Sequence, residues 1–554
     1  MLTAIRVGNF KAFAEPQRTP IRPLTLIYGA NSSGKSSIIH SIVLARHALE
    51  SGELDVHRTN VGGEAVDLGG FRQYVHRREA SRRMEWSAEV DTTLFKGRLA
   101  ELLAPVGRIT VSVAVGMSLD DQDRPLPDAS PEIHTYEIYA DGESLLRLSR
   151  RREGRLHLDR LDYEHPVFRK ILKAIVETST FVTSIRAEDF EELAIAVDSL
   201  VPGILSKPGK LFPEGVSYVE KETDTEQEET GRPIQGSRSQ SLTGAVRLFF
   251  PRVLNEVIQG IGEAVRGEIL HLQYLGPLRS YPPRHLAFSQ HHDPNWFAGG
   301  GYAWDVVRRD GRVRSLVNDW LSSPDRLQTP YELMLRDLVG IDQLEGPMLD
   351  GLEVMSEEGL DIEYEEETEY TSAGAWPVIK DPEAEATKLQ NLIRSSDIEK
   401  LNELILIDRR SNTVVSHRDV GIGVSQVLPV LVGAYAAKNQ LIAIEQPEIH
   451  LHPALQADLG DVFLESALGE QQNRFLIETH SEHILLRIMR RMRQTFEKSL
   501  PENAAAVNPD DVMVLFVEPD GSRSIVREMP LNERGELVKA WPGGFFEEGL
   551  REVF

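Results

Sequence analysis

The chain contains 554 residues, of which 41% are hydrophobic, and carries a formal net charge of −25 at pH 7. This length predicts two or three domains, or one large domain with insertions. The negative charge argues against a protein whose whole surface is covered by nucleic acid, but it does not exclude a local groove that binds DNA. The sequence has no cysteine, which excludes disulfides, cysteine zinc sites and iron–sulfur clusters.

The apolar runs are too short for a membrane span, which needs about 18 uninterrupted apolar residues. The first residues, Met1 to Arg6, run directly into strand-like sequence, without the apolar segment and cleavage site of a signal peptide. We therefore expect a cytoplasmic protein that does not bind a membrane.

The chain begins with two predicted strands and a helix, joined by a glycine-containing loop. Residues 4–7 and 24–28 have strand character, and residues 36–49 show helical spacing. Between the second strand and the helix, residues 29–36 match G-x-x-x-x-G-K-[ST] at every fixed position. A plain glycine turn is the alternative, but the strand–loop–helix context favours nucleotide binding.

Each fixed residue of this loop has a chemical role in binding ATP and Mg²⁺. Gly29 and Gly34 let the backbone turn and come close to a triphosphate, and amides at the helix start point at anionic oxygens. Lys35 would reach the β- and γ-phosphates, and the Ser36 hydroxyl would bind Mg²⁺. The predicted ATP-binding residues of the loop are Gly29, Asn31, Ser32, Ser33, Gly34, Lys35, Ser36 and Ser37.

Two further features near the N-terminus have open interpretations. Phe10 and Phe13 lie in a turn, where one ring could stack on adenine or both could pack in the core. Gln73 follows a Gly-Gly turn. Its polar side chain matters only if the protein belongs to a class of ATPase that uses a glutamine at this point.

The middle of the chain changes from strand to helix character. Antiparallel strands are predicted at 85–90, 109–115, 133–140 and 144–148. Helical spacing follows between 166 and 206 and again at 242–265. Acidic runs at 220–230 and 357–369 are typical of solvated loops. We interpret 91–270 as a large α+β insertion.

A predicted strand at 269–275 leads into a Gly-Pro turn that presents Arg279. Arg279 could contact a phosphate, or it could form an ion pair within the fold. His291 and His292 are weak candidates for metal binding, because no third ligand stands at a regular spacing. A helix is predicted at 384–394.

Three stretches near the C-terminus would complete a nucleotide site. Gly423 and Ser425 precede a predicted apolar helix at 427–437, and they form either an anion site or a plain helix cap. One buried strand ends at Glu445, where a carboxylate is needed for Mg²⁺ beside the phosphate loop. A second buried strand leads to His480, which could hydrogen-bond a γ-phosphate or an attacking water.

This ordered set of stretches resembles the ABC-type ATPase heads. Within that class, the chain resembles the bacterial AAA-type ATPases related to the overcoming-lysogenization-defect (OLD) nucleases. The fingerprints are Glu445–Pro453, Ile477–His483, Gly276–Arg279 and Trp541–Glu547. The resemblance implies an α/β fold, namely an ABC-type P-loop ATPase head with a mixed sheet flanked by helices and a large α+β insertion.

The resemblance covers roughly 1–80 and 270–554 and implies a domain order. Residues 1–90 would form the N-terminal part of the head, with the phosphate loop and the glutamine loop. Residues 271–400 would return to the head and carry a second acidic insertion. Residues 401–554 would hold the signature stretch, the acidic strand end, the switch histidine and a C-terminal tail.

The resemblance also implies that Mg²⁺ is bound by Ser36, Gln73 and Glu445. The position of the usual catalytic glutamate is occupied by Gln446, which can orient water but cannot accept its proton. Three alternatives follow from this glutamine. The protein hydrolyses ATP slowly, or Glu448 replaces the catalytic glutamate, or the protein mainly holds ATP as a clamp. The implied catalytic residues are Glu445, Gln446, Glu448 and His480.

ABC-type heads hydrolyse ATP as head-to-tail dimers. The resemblance therefore implies a homodimer or higher oligomer, in which Gly423 and Ser425 face the γ-phosphate bound by Lys35 of another copy. It also implies a role in defence against phage, with a separately encoded effector such as a nuclease. The chain is not expected to have its own nuclease site, because Asp511 and Glu518 are not arranged as a metal-dependent Toprim site.

Two alternative functions remain from the sequence. Gln446 also suits a scaffold or sensor that binds ATP with little turnover. A DNA-repair ATPase head is the other alternative, although no long heptad-repeat arm is present. DNA or a phage component is a candidate partner, since arginines cluster in three places, but solvated helix faces or ion pairs explain these clusters equally well. The clusters are Arg77, Arg78, Arg82 and Arg83, then Arg150, Arg151 and Arg152, and finally Arg487, Arg490, Arg491 and Arg493.

Overall fold

The computed structural model describes most of the chain. Both acidic runs, the His291–His292 pair, Arg152 and residues 543–547 lie outside the described residues. The described ranges are 1–151, 154–178, 189–219, 238–279, 295–324, 326–339, 352–355, 376–379, 382–394, 400–415, 422–502 and 504–542.

The strands are numbered in chain order. They are β1 Leu2–Gly8, β2 Gln17–Pro20, β3 Leu24–Gly29, β4 Met84–Asp91, β5 Arg108–Gly116, β6 Glu132–Ala140, β7 Glu143–Arg150, β8 Leu156–Leu161, β9 Ile204–Ser206, β10 Val216–Tyr218, β11 Leu272–Leu275, β12 Tyr331–Val339, β13 Leu352–Met355, β14 Trp376–Ile379, β15 Lys400–Asp408, β16 Thr413–Val415, β17 Leu441–Glu445, β18 Arg474–Glu478, β19 Val512–Asp520 and β20 Arg523–Glu528.

The α-helices are numbered in the same way. They are α1 Lys35–Ser51, α2 Phe71–Tyr74, α3 Gly97–Leu103, α4 Pro166–Thr178, α5 Asp189–Leu200, α6 Arg238–Leu270, α7 Gly301–Arg309, α8 Gly311–Ser322, α9 Pro382–Arg394, α10 Ile422–Ala436, α11 Pro453–Leu468 and α12 Glu482–Phe496.

A mostly parallel sheet carries the phosphate loop. Among the described residues it has six strands in the order β11-β17-β18-β3-β19-β20, and every pair is parallel except β19 with β20. All residues of β3, β17 and β18 are buried, as expected for parallel strands covered on both faces. The carboxyl ends of β3, β17 and β18 therefore meet at one edge of the sheet, where ligands bind in open α/β sheets.

An antiparallel sheet is built from the N-terminal strands and the middle of the chain. In the described part of the chain it has nine strands, in the order β10-β9-β8-β7-β6-β5-β4-β1-β2. The four strands predicted between 85 and 148 are confirmed as β4 to β7, and they pair antiparallel. Since β4 also pairs with β1, the strands after residue 91 extend a sheet that starts at the N-terminus. The domain boundary at 90/91 stays a prediction.

The helix predicted at 242–265 is confirmed but longer, since α6 continues to Leu270. The expected strand start at 269 is therefore wrong, and β11 begins at Leu272. Val246, Val253, Val257 and Ile261 form the buried face of α6, because residues three or four apart share one side of a helix.

Arg474 at the start of β18 links the two sheets. Its guanidinium donates one hydrogen bond to the Leu2 carbonyl, at 2.6 Å, and pairs with Glu268 of α6, also at 2.6 Å. Glu268 in turn accepts a hydrogen bond from the Leu2 amide. Burial alone would raise the pKa of Glu268, but Arg474 outweighs it and holds that pKa below its ordinary value. This ion pair therefore fixes β1 against the start of β18.

The chain divides into two compact units. One comprises 1–281, 292–306 and 421–554, and contains both sheets described above. The other comprises 282–291 and 307–420. Its described strands form an antiparallel sheet, β12-β15-β16, and a β13-β14 ribbon. Its helix α8 is preceded by Asp310, whose side chain accepts hydrogen bonds from the amides of the first turn, as an N-cap residue does.

The two aromatic residues of the N-terminal turn belong to the core. Phe10 and Phe13 are both 0% exposed and belong to the same hydrophobic cluster as Ile38 and Ile42 of α1. The core-packing interpretation is thus the one that the structure supports. Among the described helices, none combines the length and apolar character that crossing a bilayer requires.

Candidate active site

The phosphate loop connects β3 to α1 and depends on two glycines. Gly34, which precedes α1, has φ 98°, and a Cβ there would lie 2.5 Å from the Ala12 side chain. Gly29 has φ 149°, and a Cβ there would collide with the Val517 carbonyl. Only glycine fits both the backbone angles and these close approaches. The loop is therefore packed tightly against its neighbours.

Lys35 is folded back onto its own loop. Its side chain is 4% exposed, and Nζ donates hydrogen bonds to the carbonyls of Gly29 at 3.1 Å and Ala30 at 2.9 Å. Nζ also lies 3.9 Å from Glu478 Oε1. Burial lowers the pKa of Lys35, and the charges of Glu478 and Glu448 oppose that shift. Of the other loop residues, Asn31 and Ser32 are exposed, Ser33 and Ser37 are buried, and Ser36 is half-buried.

Two glutamates end neighbouring strands beside Lys35. Glu445 closes β17 and Glu478 closes β18, and the two residues are register partners. Both are buried, at 5% and 4% exposure. Burial is the main cause that raises the pKa of Glu478 to about 7, and repulsion from Glu445 is the second. A hydrogen bond from Ser36 and the charge of Lys35 act in the opposite direction and lower this pKa. Sequence reasoning assigns a role to Glu445 but none to Glu478.

Glu445 is held by residues far away in sequence. Its Oε1 accepts a hydrogen bond from the Tyr274 hydroxyl at 2.9 Å and lies 3.1 Å from His40 Nε2. His40 Nδ1 is 2.6 Å from Lys11 Nζ, and burial lowers the pKa of Lys11 to about 8. Sequence reasoning misses all three residues. The spacing of Ser36 and His40 is a usable signal for one of them, because residues four apart share a helix face.

The loops after β17 and β18 are joined by hydrogen bonds. Gln446 has φ 47°, and its amide donates to the Glu478 carbonyl at 2.7 Å. The Glu448 carboxylate is 9% exposed and accepts from the Thr479 hydroxyl and the His480 amide, each at 2.7 Å. Burial raises the pKa of Glu448 despite these bonds. Both oxygens of Glu448 thus hold the histidine loop in place.

His480 lies near the phosphate loop, and its side chain is partly exposed. Burial and then the charge of Lys35 lower the pKa of His480. A neutral imidazole beside Lys35 has one nitrogen that can accept a hydrogen bond and one that can donate. The structure therefore brings Lys35, Ser36, Glu445, Glu448 and His480 to one edge of the parallel sheet.

Arg279 connects this edge to the start of α10. The guanidinium is 4% exposed, and Nη2 donates to the Glu445 carbonyl at 2.9 Å. The main chain of Arg279 exchanges two hydrogen bonds with the Gln426 side chain. Burial lowers the pKa of Arg279 to about 10. Within the described residues, the hydrogen bonds of this guanidinium go to main-chain carbonyls rather than to a carboxylate.

The signature stretch lies in the first turn of α10. Ser425 is 1% exposed, and a Cβ on Gly423 would lie 3.0 Å from the His450 carbonyl. Gln73 stands apart from this group. It is exposed on α2, and within the described ranges no hydrogen bond or ion pair joins its side chain to the phosphate loop. Their roles in binding ATP stay predictions.

Two of the four C-terminal arginines join neighbouring helices. Arg487 and Arg491 of α12 pair with Asp461 of α11 at 2.5 and 2.7 Å, so two members of this basic cluster are engaged in ion pairs. Glu518 pairs with Arg527 at 2.5 Å. Among the described residues, no group of three or more His, Asp or Glu side chains is placed to hold a metal ion without another ligand.

A buried strand, a G-x-x-x-x-G-K-S loop, a following helix and strand-end carboxylates together define a P-loop ATPase domain of mixed α/β architecture. Residues 356–485 match a family model described as "AAA ATPase domain". Residues 507–554 match a model described as "Protein of unknown function (DUF3696)". No curated protein matches the chain. The first of these family models supports an AAA-type ATPase.

Solved structures similar to this chain include SMC head domains and a recombination mediator protein. The Smc head domain of Pyrococcus furiosus, bound to the C-terminal domain of ScpA, is 10% identical, with a TM-score of 0.33, and the match covers 100% of this chain and 98% of that one. The SMC head domain from Thermotoga maritima is 10% identical, with a TM-score of 0.30 and coverage of 96% and 99%. The recombination mediator protein RecF is 10% identical, with a TM-score of 0.26 and coverage of 96% and 98%.

Proposed function

We propose that the chain is an ABC-type ATPase that binds and hydrolyses ATP with Mg²⁺. The observation that carries this proposal is the position of Lys35 in a strand–loop–helix unit, next to the buried carboxylates at the ends of β17 and β18. Phosphoryl transfer needs positioning and charge stabilisation more than covalent chemistry. A lysine, a hydroxyl and strand-end carboxylates at one sheet edge suit those needs.

The oxygen atoms at this edge fit Mg²⁺. Ser36 and Glu445 supply a hydroxyl and a carboxylate, which are the hard ligands that this ion prefers. Mg²⁺ bound with ATP would neutralise charge on the β- and γ-phosphates. Lys35 would exchange the carbonyls of Gly29 and Ala30 for phosphate oxygens. His480 would donate to the γ-phosphate or orient water, and Glu448 would keep the His480 loop in position.

Gln446 sets the expected rate. Its amide side chain can orient water, but general-base help worth about 10²–10⁴-fold is missing at this position. We therefore expect slow turnover in the wild-type protein. Glu448 is a poor replacement for the base, because its two oxygens already accept hydrogen bonds from Thr479 and His480.

Steady-state phosphate release from wild type, Lys35→Ala and Gln446→Glu tests this function. We expect measurable turnover that Lys35→Ala abolishes, since the ammonium group is the phosphate ligand. We expect Gln446→Glu to raise kcat by about 10²-fold, because it restores a proton acceptor. An unchanged kcat in Gln446→Glu would show that another group takes the proton.

A slow-turnover scaffold or sensor is the second candidate function. It is favoured by Gln446 and by the involvement of both Glu448 oxygens in hydrogen bonds. This candidate predicts tight ATP binding without phosphate release in wild type. Turnover that depends on Lys35 would rule it out.

We further infer that the protein belongs to the OLD-related ATPases, acts as a head-to-tail dimer, and controls a separately encoded effector in anti-phage defence. The support is the pair of motifs around Glu445 and His480, together with the Gly276–Arg279 turn. The effector is a protein such as a nuclease, and DNA or a phage component would be the trigger. Loss of phage protection in cells that carry Lys35→Ala would be the expected result.

A further inference from the structure

Two buried carboxylates lie side by side at the edge of the parallel sheet, and the proposed ATP site gives a role to Glu445 but none to Glu478. Glu445 and Glu478 are register partners on adjacent parallel strands, so their side chains leave the sheet on the same face. Both are at least nine-tenths buried. Two buried carboxylates side by side disfavour ionisation of both unless a cation lies between them. Lys35, the nearby ammonium group, is 3.9 Å from Glu478.

One oxygen of Glu478 has no partner among the described residues. Oε1 faces Lys35, whereas the buried Oε2 makes no hydrogen bond within that part of the chain. A buried carboxylate oxygen without a partner costs free energy unless a ligand takes it. The Ser36 side chain is close enough to Glu478 to lower the pKa of its carboxyl group through hydrogen bonding, so the expected Mg²⁺-binding hydroxyl lies near this carboxylate.

We propose that Glu478 is a second carboxylate ligand of the nucleotide-bound Mg²⁺, beside Glu445 and Ser36. This inference rests on the proposed ATP site and adds a residue to it. Mg²⁺ in nucleotide sites is held by one or two carboxylates together with substrate phosphates. The two glutamates and the serine alone are too few to hold the ion, so Mg²⁺ binds here only with the nucleotide.

The contact between Glu478 and Lys35 is expected to change when a nucleotide binds. Without ATP, Oε1 balances the charge of Lys35. When Lys35 turns to the phosphates, Glu478 would lose this counterion and its carboxylate would be available to bind Mg²⁺.

Mn²⁺ binding tests the proposal without relying on activity. Full-length wild type, Glu478→Gln and the control Glu470→Gln would be titrated with Mn²⁺ in the presence of ADP, and free Mn²⁺ would be measured by electron paramagnetic resonance. Glu470 is exposed and precedes β18, at the opposite end of that strand from Glu478. We expect Glu478→Gln to weaken Mn²⁺ binding at least about tenfold, while Glu470→Gln matches wild type.

Nucleotide affinity in EDTA separates a metal ligand from a counterion. A ligand role predicts that Glu478→Gln binds ADP in EDTA at least as well as wild type, because Lys35 is kept and a negative charge is removed. Equal Mn²⁺ binding by Glu478→Gln and wild type would overturn the proposal, and so would an equal loss of ADP affinity with and without metal. Failure of wild type to bind nucleotide at all would overturn the ATP site as well.

Circular dichroism and thermal unfolding would show whether Glu478→Gln is folded. If it is not, Glu478→Asp takes its place, since it keeps the charge and withdraws the carboxylate by one methylene. A ligand role predicts Mn²⁺ binding several-fold weaker than wild type in Glu478→Asp. Wild-type binding in that variant would contradict the proposal.

Discussion

The Lys35 side chain must change its conformation before it can bind the phosphates of a nucleotide. Its ammonium group is satisfied by two carbonyls of its own loop and by Glu478. Buried charges need such partners, because leaving one unpaired is costly. The triphosphate must therefore supply better partners than the loop carbonyls do. The loop is held for this exchange by the glycines at its two ends.

Replacement of Gly34 by alanine tests how tightly the loop is packed. The φ of 98° is unfavourable for alanine, and its Cβ would lie 2.5 Å from Ala12. We expect a loss of about 1–3 kcal/mol in the free energy of unfolding, together with weaker ATP binding. Chemical denaturation and fluorescent-nucleotide titration would measure the two effects.

Gly521→Ala is the matched control for that variant. Gly521 also has a positive φ, 63°, but among the described residues nothing lies within 4 Å of the position that an alanine Cβ would take. Backbone strain alone then costs about 1–2 kcal/mol and leaves ATP binding unchanged. If both variants lost stability equally and kept ATP affinity, contact with Ala12 would not matter.

The residues that sequence could identify are those whose roles follow from local patterns. Lys35 and Ser36 belong to one short motif, and Glu445 ends an apolar run. The roles of Glu478, His40 and Tyr274 depend instead on the register between strands and on helix rotation. His40 and Tyr274 lie 405 and 171 positions from Glu445, whose carboxylate they contact, and no local pattern encodes such relations.

Helices α11 and α12 are joined by a partly buried charge cluster. Asp461 is 15% exposed and bonds to Arg487 and Arg491. Burial alone would raise the pKa of Asp461, but the hydrogen bonds and charges of the two arginines outweigh it and hold the pKa below its ordinary value. A lowered pKa in the folded state means that this carboxylate stabilises the fold above about pH 4 and loses that effect as the solution becomes more acidic.

Asp461→Asn should therefore destabilise the protein in a pH-dependent way. We expect a loss of about 2 kcal/mol at pH 7, because the two arginines lose a charged acceptor. The difference from wild type should shrink as the pH falls below about 4, where the wild-type carboxylate becomes protonated. Urea denaturation at several pH values would measure this trend, with Asp128→Asn, an exposed loop carboxylate, as control. A deficit that stays constant across the acidic range would contradict a charge-based role.

Secondary structure is more predictable from this sequence than its assembly. The strands between 85 and 148 and the buried strands near the C-terminus follow from apolar patterning. The pairing of β4 with β1 does not, because antiparallel edges offer no local signal for a distant partner. The sequence therefore suggests an insertion that begins at residue 91, although β5 to β10 continue the sheet that β1 starts.

The two compact units suggest how the whole molecule is organised. The unit with the ATPase sheets is assembled from three separate chain segments. Residues 307–420 belong to the other unit, which has its own antiparallel sheet, and α10 begins only after them. The chain therefore completes β17 and β18 only after this excursion, which adds to the sequence separation that β4 to β10 and α6 already create between the two halves of the candidate site.

A head-to-tail dimer would make each site depend on two copies of the chain. Lys35 and Glu445 would come from one subunit and Ser425 from the other, so Lys35→Ala and Ser425→Ala disable different halves of a site. Mixing the two inactive variants creates dimers in which one site has an intact lysine and an intact serine. With random mixing and independent sites, we expect about a quarter of wild-type ATPase activity to return.

A mixture of Lys35→Ala with Glu445→Gln is the matched control. Both changes affect residues of the same subunit's half-site, so every site in a mixed dimer is defective and no activity should return. Recovery in both mixtures would indicate subunit contacts other than head-to-tail ones. No recovery in either mixture, with ATP-dependent dimers present in solution, would contradict a signature role for Ser425. Since Ser425 is 1% exposed, its contribution to a second subunit requires the start of α10 to open when ATP binds.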